Sequence, residues 1–159
     1  MKYRCLTDEE LKELEEEFKH FLISNNVYTE EWEQLNKDNN EKVNLLVEMF
    51  SDIVMDKALK NVRFLEHLTP SDIKVFHCLD DKMVLIGIVA KDNNIDFSAQ
   101  SIEELKSVPL DIFKTEKIYT KERELEVFDL LQSGCTIIDE NQFKKIELAH
   151  TYSSKQNQN

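Results

Sequence analysis

The sequence predicts an α+β fold, with N-terminal helices, an antiparallel β-meander of three or more strands, and C-terminal helices. Three observations carry this prediction. Apolar residues recur at spacings of three and four from Leu11 to Val54, alternate or run together from Val62 to Ala90, and return to helical spacing after Lys121. The chain has only 2 Gly and 2 Pro, too few for the closely spaced turns of a many-stranded sandwich or barrel. A length of 159 residues fits one domain able to bury a core without staples. Residues 1–152 are expected to form that domain, and residues 153–159, which hold no apolar side chain, a disordered tail.

The first helix is announced by Thr7-Asp8-Glu9-Glu10, the pattern of a capping box. Leu11, Leu14, Phe18, Phe21 and Leu22 form one stripe down to about Ser24, and Asn25-Asn26 ends it. Thr29 can cap a short second helix that carries Trp32 and Leu35 and closes at Asp38-Asn39-Asn40. Trp32, the sole tryptophan, either docks this polar helix onto the core or anchors a partner. A third helix starts near Glu41. Its apolar positions Val43, Leu45, Leu46, Met49, Phe50, Ile53 and Val54 cover more than one stripe, which predicts packing on two sides. Asn61 is its expected stop.

Residues 62–68 admit two readings. Val62, Phe64, Glu66 and Leu68 alternate like a strand, while Ala58, Val62 and Leu65 would continue a helical stripe. With the strand reading, Thr69-Pro70-Ser71-Asp72 is a turn, Ile73 to Leu79 a second strand, Asp80-Asp81 a reversal, and Met83 to Ala90 a third strand. The third strand is apolar on both faces, so its free edge needs a partner. Lys117–Thr120 and Cys135–Ile138 are the candidates. Asp96 to Thr115 reads weakly, as one helical turn around Ser101–Leu105 and a loop at Pro109. Lys121 to Gln132 is helical with a stop at Gly134, and Asp139-Glu140-Asn141-Gln142 opens a last helix carrying Phe143, Ile146, Ala149 and Tyr152.

Short segments spread along the chain carry a resemblance. They are KYRCLT at Lys2–Thr7, EEW at Glu30–Trp32, FSDIV at Phe50–Val54, FLEH at Phe64–His67 and FDLLQSG at Phe128–Gly134. Together they resemble an uncharacterised family of short cytosolic proteins from Bacteroidetes, a domain of unknown function. The resemblance implies a bacterial origin and transfers no activity or site residue.

Chemistry is sparse. No glycine-rich phosphate loop can be written with Gly87 and Gly134 alone. Net charge is -12, which opposes nucleic-acid backbones and anionic lipid, so neither nucleic acid nor membrane is an expected partner. A basic protein partner or a homodimer through the third strand fits better. The cysteines Cys5, Cys78 and Cys135 form no C-x-x-C, which suits reduced thiols in the cytoplasm. MKYRCLTDEE turns acidic before any apolar core of a signal peptide, and the longest apolar run, Met83 to Ala90, is too short to span a bilayer.

His77-Cys78 invites a site, but adjacent strand residues face opposite ways. Pairing 68 with 73, 66 with 75 and 64 with 77 leaves Glu66 and His77 on one apolar face, diagonal to each other. That cluster could work as a base or a pH-sensitive element, or could be a satisfied structural pair. No zinc-type ligand set and no other cofactor motif accompanies it, and no catalytic residue is assigned. Lys114, Lys117, Lys121 and Arg123, interleaved with Tyr119, form the one basic patch. The reading is a non-enzymatic protein-interaction or regulatory domain. The alternative is a small enzyme or ligand-binding protein built on Glu66 and His77.

Overall fold

A computed structural model describes residues 1–91, 95–99, 101, 104 and 108–156. The fold is α+β, with helices first, an antiparallel sheet in the middle, and a helix last. The chain divides into two compact units, Met1–Leu59 and Lys60–Asn159.

In the first unit, α1 (Asp8–Glu13) opens on the expected capping box. Thr7 Oγ1 accepts the Glu10 N–H at 3.2 Å, and Glu10 Oε2 accepts the Thr7 N–H at 2.8 Å. The single helix expected down to Ser24 is two: Leu14 leaves helical geometry, and α2 runs Glu15–Ser24. Backbone bonding continues across the break, from Leu14 N–H to the Glu10 carbonyl and from Phe18 N–H to the Leu14 carbonyl, so the apolar stripe survives it. α3 (Thr29–Asp38) starts one residue before expectation, with Tyr28 as the cap residue. Trp32 docks this helix: its ring meets Phe18 edge-on at 5.3 Å, beside the buried Leu22, Val27 and Leu46.

α4 (Asn40–Lys60) buries Leu46 and Phe50, and Phe50 packs against Phe18 at 4.9 Å and Phe21 at 5.4 Å. The expected packing on two sides does not hold for its second stripe. Leu45, Met49 and Ile53 are exposed, because a wide apolar surface gives a helix the capacity for burial without supplying a neighbour. The N-terminal segment is tied to the same helix. Asp52 accepts the Lys2 and Tyr3 N–H groups, and the buried Ser51 Oγ accepts the Leu6 N–H at 2.9 Å while donating to the Val47 carbonyl at 2.7 Å. Ser51→Ala should cost about 1–3 kcal/mol in urea unfolding, since it strands a buried backbone donor. No measurable loss would mean that Leu6 finds another acceptor.

In the second unit the sheet has the order β4-β3-β2-β1-β5. Residues 64–68 are strand: β1 (Phe64–Leu68) pairs with β2 (Asp72–Cys78) in the predicted register, 64 with 77, 66 with 75 and 68 with 73. Thr69 fixes the turn, its hydroxyl accepting the Ser71 and Asp72 N–H groups and donating to Asp72 Oδ1 at 2.6 Å. β3 (Lys82–Ala90) pairs on its far side with β4 (Leu110–Ile118) along its whole length. The free edge expected for the third strand is therefore covered by β4. Lys117 and Ile118 belong to the partner strand as foreseen, but the strand begins at Leu110, inside the stretch to Thr115 that reads weakly in the sequence. β5 (Thr136–Ile137), within the other candidate segment, pairs instead with β1. The helical turn expected at Ser101–Leu105 falls mostly outside the described residues.

α5 (Arg123–Gln132) ends in a Schellman motif. The Cys135 N–H reaches the Leu130 carbonyl at 3.0 Å, the Gly134 N–H reaches that of Leu131 at 3.2 Å, and Gly134 sits at φ +106°. α6 (Glu140–Gln156) opens on its box, with Asp139 Oδ1 accepting the Gln142 N–H at 2.8 Å. Ser153 to Gln156, expected in the disordered tail, are the last turn of this helix; once nucleated, a helix extends cheaply through polar residues. Residues 157–159 lie outside the described chain.

α6 covers one sheet face, where Phe143 and Ile146 pack with Ile73, Val75, Ile86 and Ile88. α5 covers the other, with Leu130 near Phe76 and Met83.

Candidate functional site

The sheet geometry decides what becomes of Glu66, His77 and Cys78. His77 lies opposite Phe64 in the ladder, and its ring stacks on Phe64 at 4.5 Å and leans on Phe143 at 5.4 Å. Burial lowers the His77 pKa, while Glu147 and Glu140 oppose that and Arg63 adds to it. Glu66 faces the same side, one step along the ladder, and burial raises its carboxyl pKa. No hydrogen bond or ion pair joins Glu66 to His77 among the described residues. The imidazole is instead one corner of an aromatic cluster, since Phe64 and Phe143 also meet each other at 5.3 Å, and Phe143 comes from a helix that the strand pattern alone could not supply.

Cys78 points to the opposite face and is fully buried, which pushes its thiol up to about 11. Burial also raises the Cys135 thiol. Cys5 is exposed, and all three cysteines are free thiols. Among the described residues no group of three or more His, Cys, Asp or Glu side chains could hold a metal ion.

The basic patch is largely consumed inside the fold. Lys117 pairs with Glu126 at 2.6 Å and Lys121 with Asp129 at 2.6 Å. Arg123, buried at the first position of α5, donates from Nε to the Leu79 carbonyl at 3.1 Å and from Nη2 to the carbonyls of Cys78, at 3.0 Å, and Val62. Tyr119 also donates to the Leu79 carbonyl, at 2.8 Å, and burial pushes its phenol up to about 12.

Glu126 completes this junction. Its buried carboxylate accepts the Lys117 ammonium, the Thr120 and Lys121 N–H groups and the Thr120 hydroxyl. Burial pushes its pKa up, but these donors outweigh burial and hold it at about 2. The sequence placed Arg123 in a basic patch and did not single out Glu126. A signal was present: an arginine at the first position of a helix opposes the dipole there, so it needs another role.

Two recesses flank this junction. One, about 540 Å³, is lined by Lys60, Arg63, Asp80, Glu122, Arg123 and Glu124, with Arg63 bonded to Asp80 at 2.8 Å. The other, about 390 Å³, has Phe76, Met83 and Leu130 beneath the two lysine bridges. Both open broadly to solvent. No described helix is long and apolar enough to cross a membrane. Exposed apolar side chains include Leu45, Met49 and Ile53 on α4, Leu148 and Tyr152 on α6, and Ile118 at the end of β4.

No curated protein and no solved structure matches the chain. Residues 1–151 match the model of DUF6495, a family of unknown function, and the chain belongs to that family.

Proposed function

We propose that this chain is a non-enzymatic protein-interaction domain of a bacterial cytosolic protein, and that α4 is its docking helix for a basic amphipathic segment of a partner. One observation carries the reading. Leu45, Met49 and Ile53, four residues apart on one helix, are 56%, 42% and 55% exposed. Glu41, Glu48 and Asp52 border this stripe at helical spacings of three and four, with Lys42 on its other side. The whole first unit shares that sign: residues 1–59 hold fifteen Asp and Glu against seven Lys and Arg. An apolar stripe in an acidic field selects an apolar face with basic flanks. Phosphate backbones are repelled by the same field. The three free thiols support a reducing compartment.

The test is an amide NMR titration of the full chain with a designed Leu/Lys helical peptide, against a Leu/Glu peptide of the same apolar pattern. Shifts should centre on residues 45–53 and weaken with salt. Met49→Asp should weaken binding about tenfold or more, as expected for losing a central anchor. Equal binding of the acidic peptide, or shifts centred away from α4, would overturn the reading.

A further inference from the structure

β4 is a nine-residue strand at the edge of the sheet, and its outer row of backbone donors and acceptors has no strand beside it among the described residues. Natural edges are blunted by bulges, prolines, shortness or charge, lysine above all. β4 has no bulge or proline and is not short: it pairs one-to-one with β3 from Leu110 to Ile118. What it does carry is charge in a particular order, Lys114-Thr115-Glu116-Lys117.

We infer that β4 pairs antiparallel with β4 of a second copy of this chain, about a two-fold axis through Thr115, joining two five-stranded sheets into one. A two-fold axis normal to the sheet keeps each face on its own side, so only registers centred on a residue are allowed. Centred on Thr115, the pairs are Thr115 with Thr115, Lys114 with Glu116 twice, Phe113 with Lys117 twice and Ile112 with Ile118 twice. Every charged contact between Lys114 and Glu116 is then attractive. Centring one residue earlier sets Lys114 against Lys114, and one residue later sets Glu116 against Glu116; like charges directly opposite are destabilising. Of the three, the register on Thr115 is the one with no like-charge pair, although centring on Lys114 also sets Asp111 against Lys117 twice.

Two further facts fit this occupant. Lys114 has no ion pair among the described residues, whereas the other charges of the strand, Asp111, Glu116 and Lys117, are each paired within the chain. Ile118 is 78% exposed, and this register lays it against Ile112 of the other copy. A partner strand from an unrelated protein would not need the strand to complement itself.

The experiment is sedimentation equilibrium of the full chain, with circular dichroism as the folding control. The wild type should be a dimer at micromolar concentration. Lys114→Glu sets two like-charge pairs across the axis and should weaken self-association about tenfold. The double variant Lys114→Glu with Glu116→Lys exchanges the charges and should recover the dimer. A monomeric wild type, or a dimer indifferent to both variants, overturns the inference. A second measurement is independent of charge. In a Cys5→Ser background, Thr115→Cys should form a disulfide-linked dimer on mild oxidation, because the axis places residue 115 opposite itself. Lys74→Cys, on an inner strand, should not cross-link, and equal cross-linking of the two would also overturn it.

Discussion

Arg123→Met should destabilise the second unit by about 3 kcal/mol or more, read as a lower urea midpoint at unchanged m-value. The guanidinium gathers three carbonyls, of Val62, Cys78 and Leu79, at the point where the chain enters β1 and leaves β2. Methionine fills much of the volume and offers no donor. Each carbonyl then loses a charge-assisted bond in a place water reaches poorly. Arg123→Lys keeps the charge but replaces a planar fork by a single ammonium, so it should fall between the two. If methionine were tolerated within about 0.5 kcal/mol, the size of an ordinary surface change, the arginine would not hold this junction.

Glu126→Gln should cost on the order of 2 kcal/mol near neutrality, and its larger signature is in acid. The carboxyl is held at about 2 against an ordinary 4.5. A group with a depressed folded pKa contributes fully above its unfolded value and loses that contribution as the pH falls towards the folded one. Wild type should therefore shed this stability between pH 4.5 and about 2, and the Gln variant should lack that component of the acid limb. Parallel wild-type and variant curves across that window would show that Lys117 and the Thr120–Lys121 backbone do not depend on the charge.

The β1–β2 hairpin was legible because its turn and its alternation agree: Thr69-Pro70-Ser71-Asp72 sets the reversal, and a slip by one residue would turn Ile73 and Val75 out of the core. Capping boxes at Thr7 and Asp139 were legible for the same local reason, since each involves residues three apart in sequence. β4 was hidden. Only Leu110 and Ile112 of its inner face reach the core, while Lys114, Glu116 and Ile118 continue the same face in solvent, so no apolar period forms. The Glu66–His77 face was placed correctly, but the character of His77 comes from Phe143, sixty-six residues further along the chain. Arg123 and Glu126 show the opposite failure. A charged residue in an acidic chain reads as surface, and only three-dimensional convergence of carbonyls and N–H groups makes it buried and satisfied.

Trp32, wedged against Phe18 in the first unit, gives the chain a built-in optical label confined to residues 1–59. Indole emission follows the melting of the helical unit alone, whereas far-ultraviolet dichroism sums helices and sheet from both units. Laying one transition over the other measures the cooperativity between the units in a single denaturant series, with no dye or mutation.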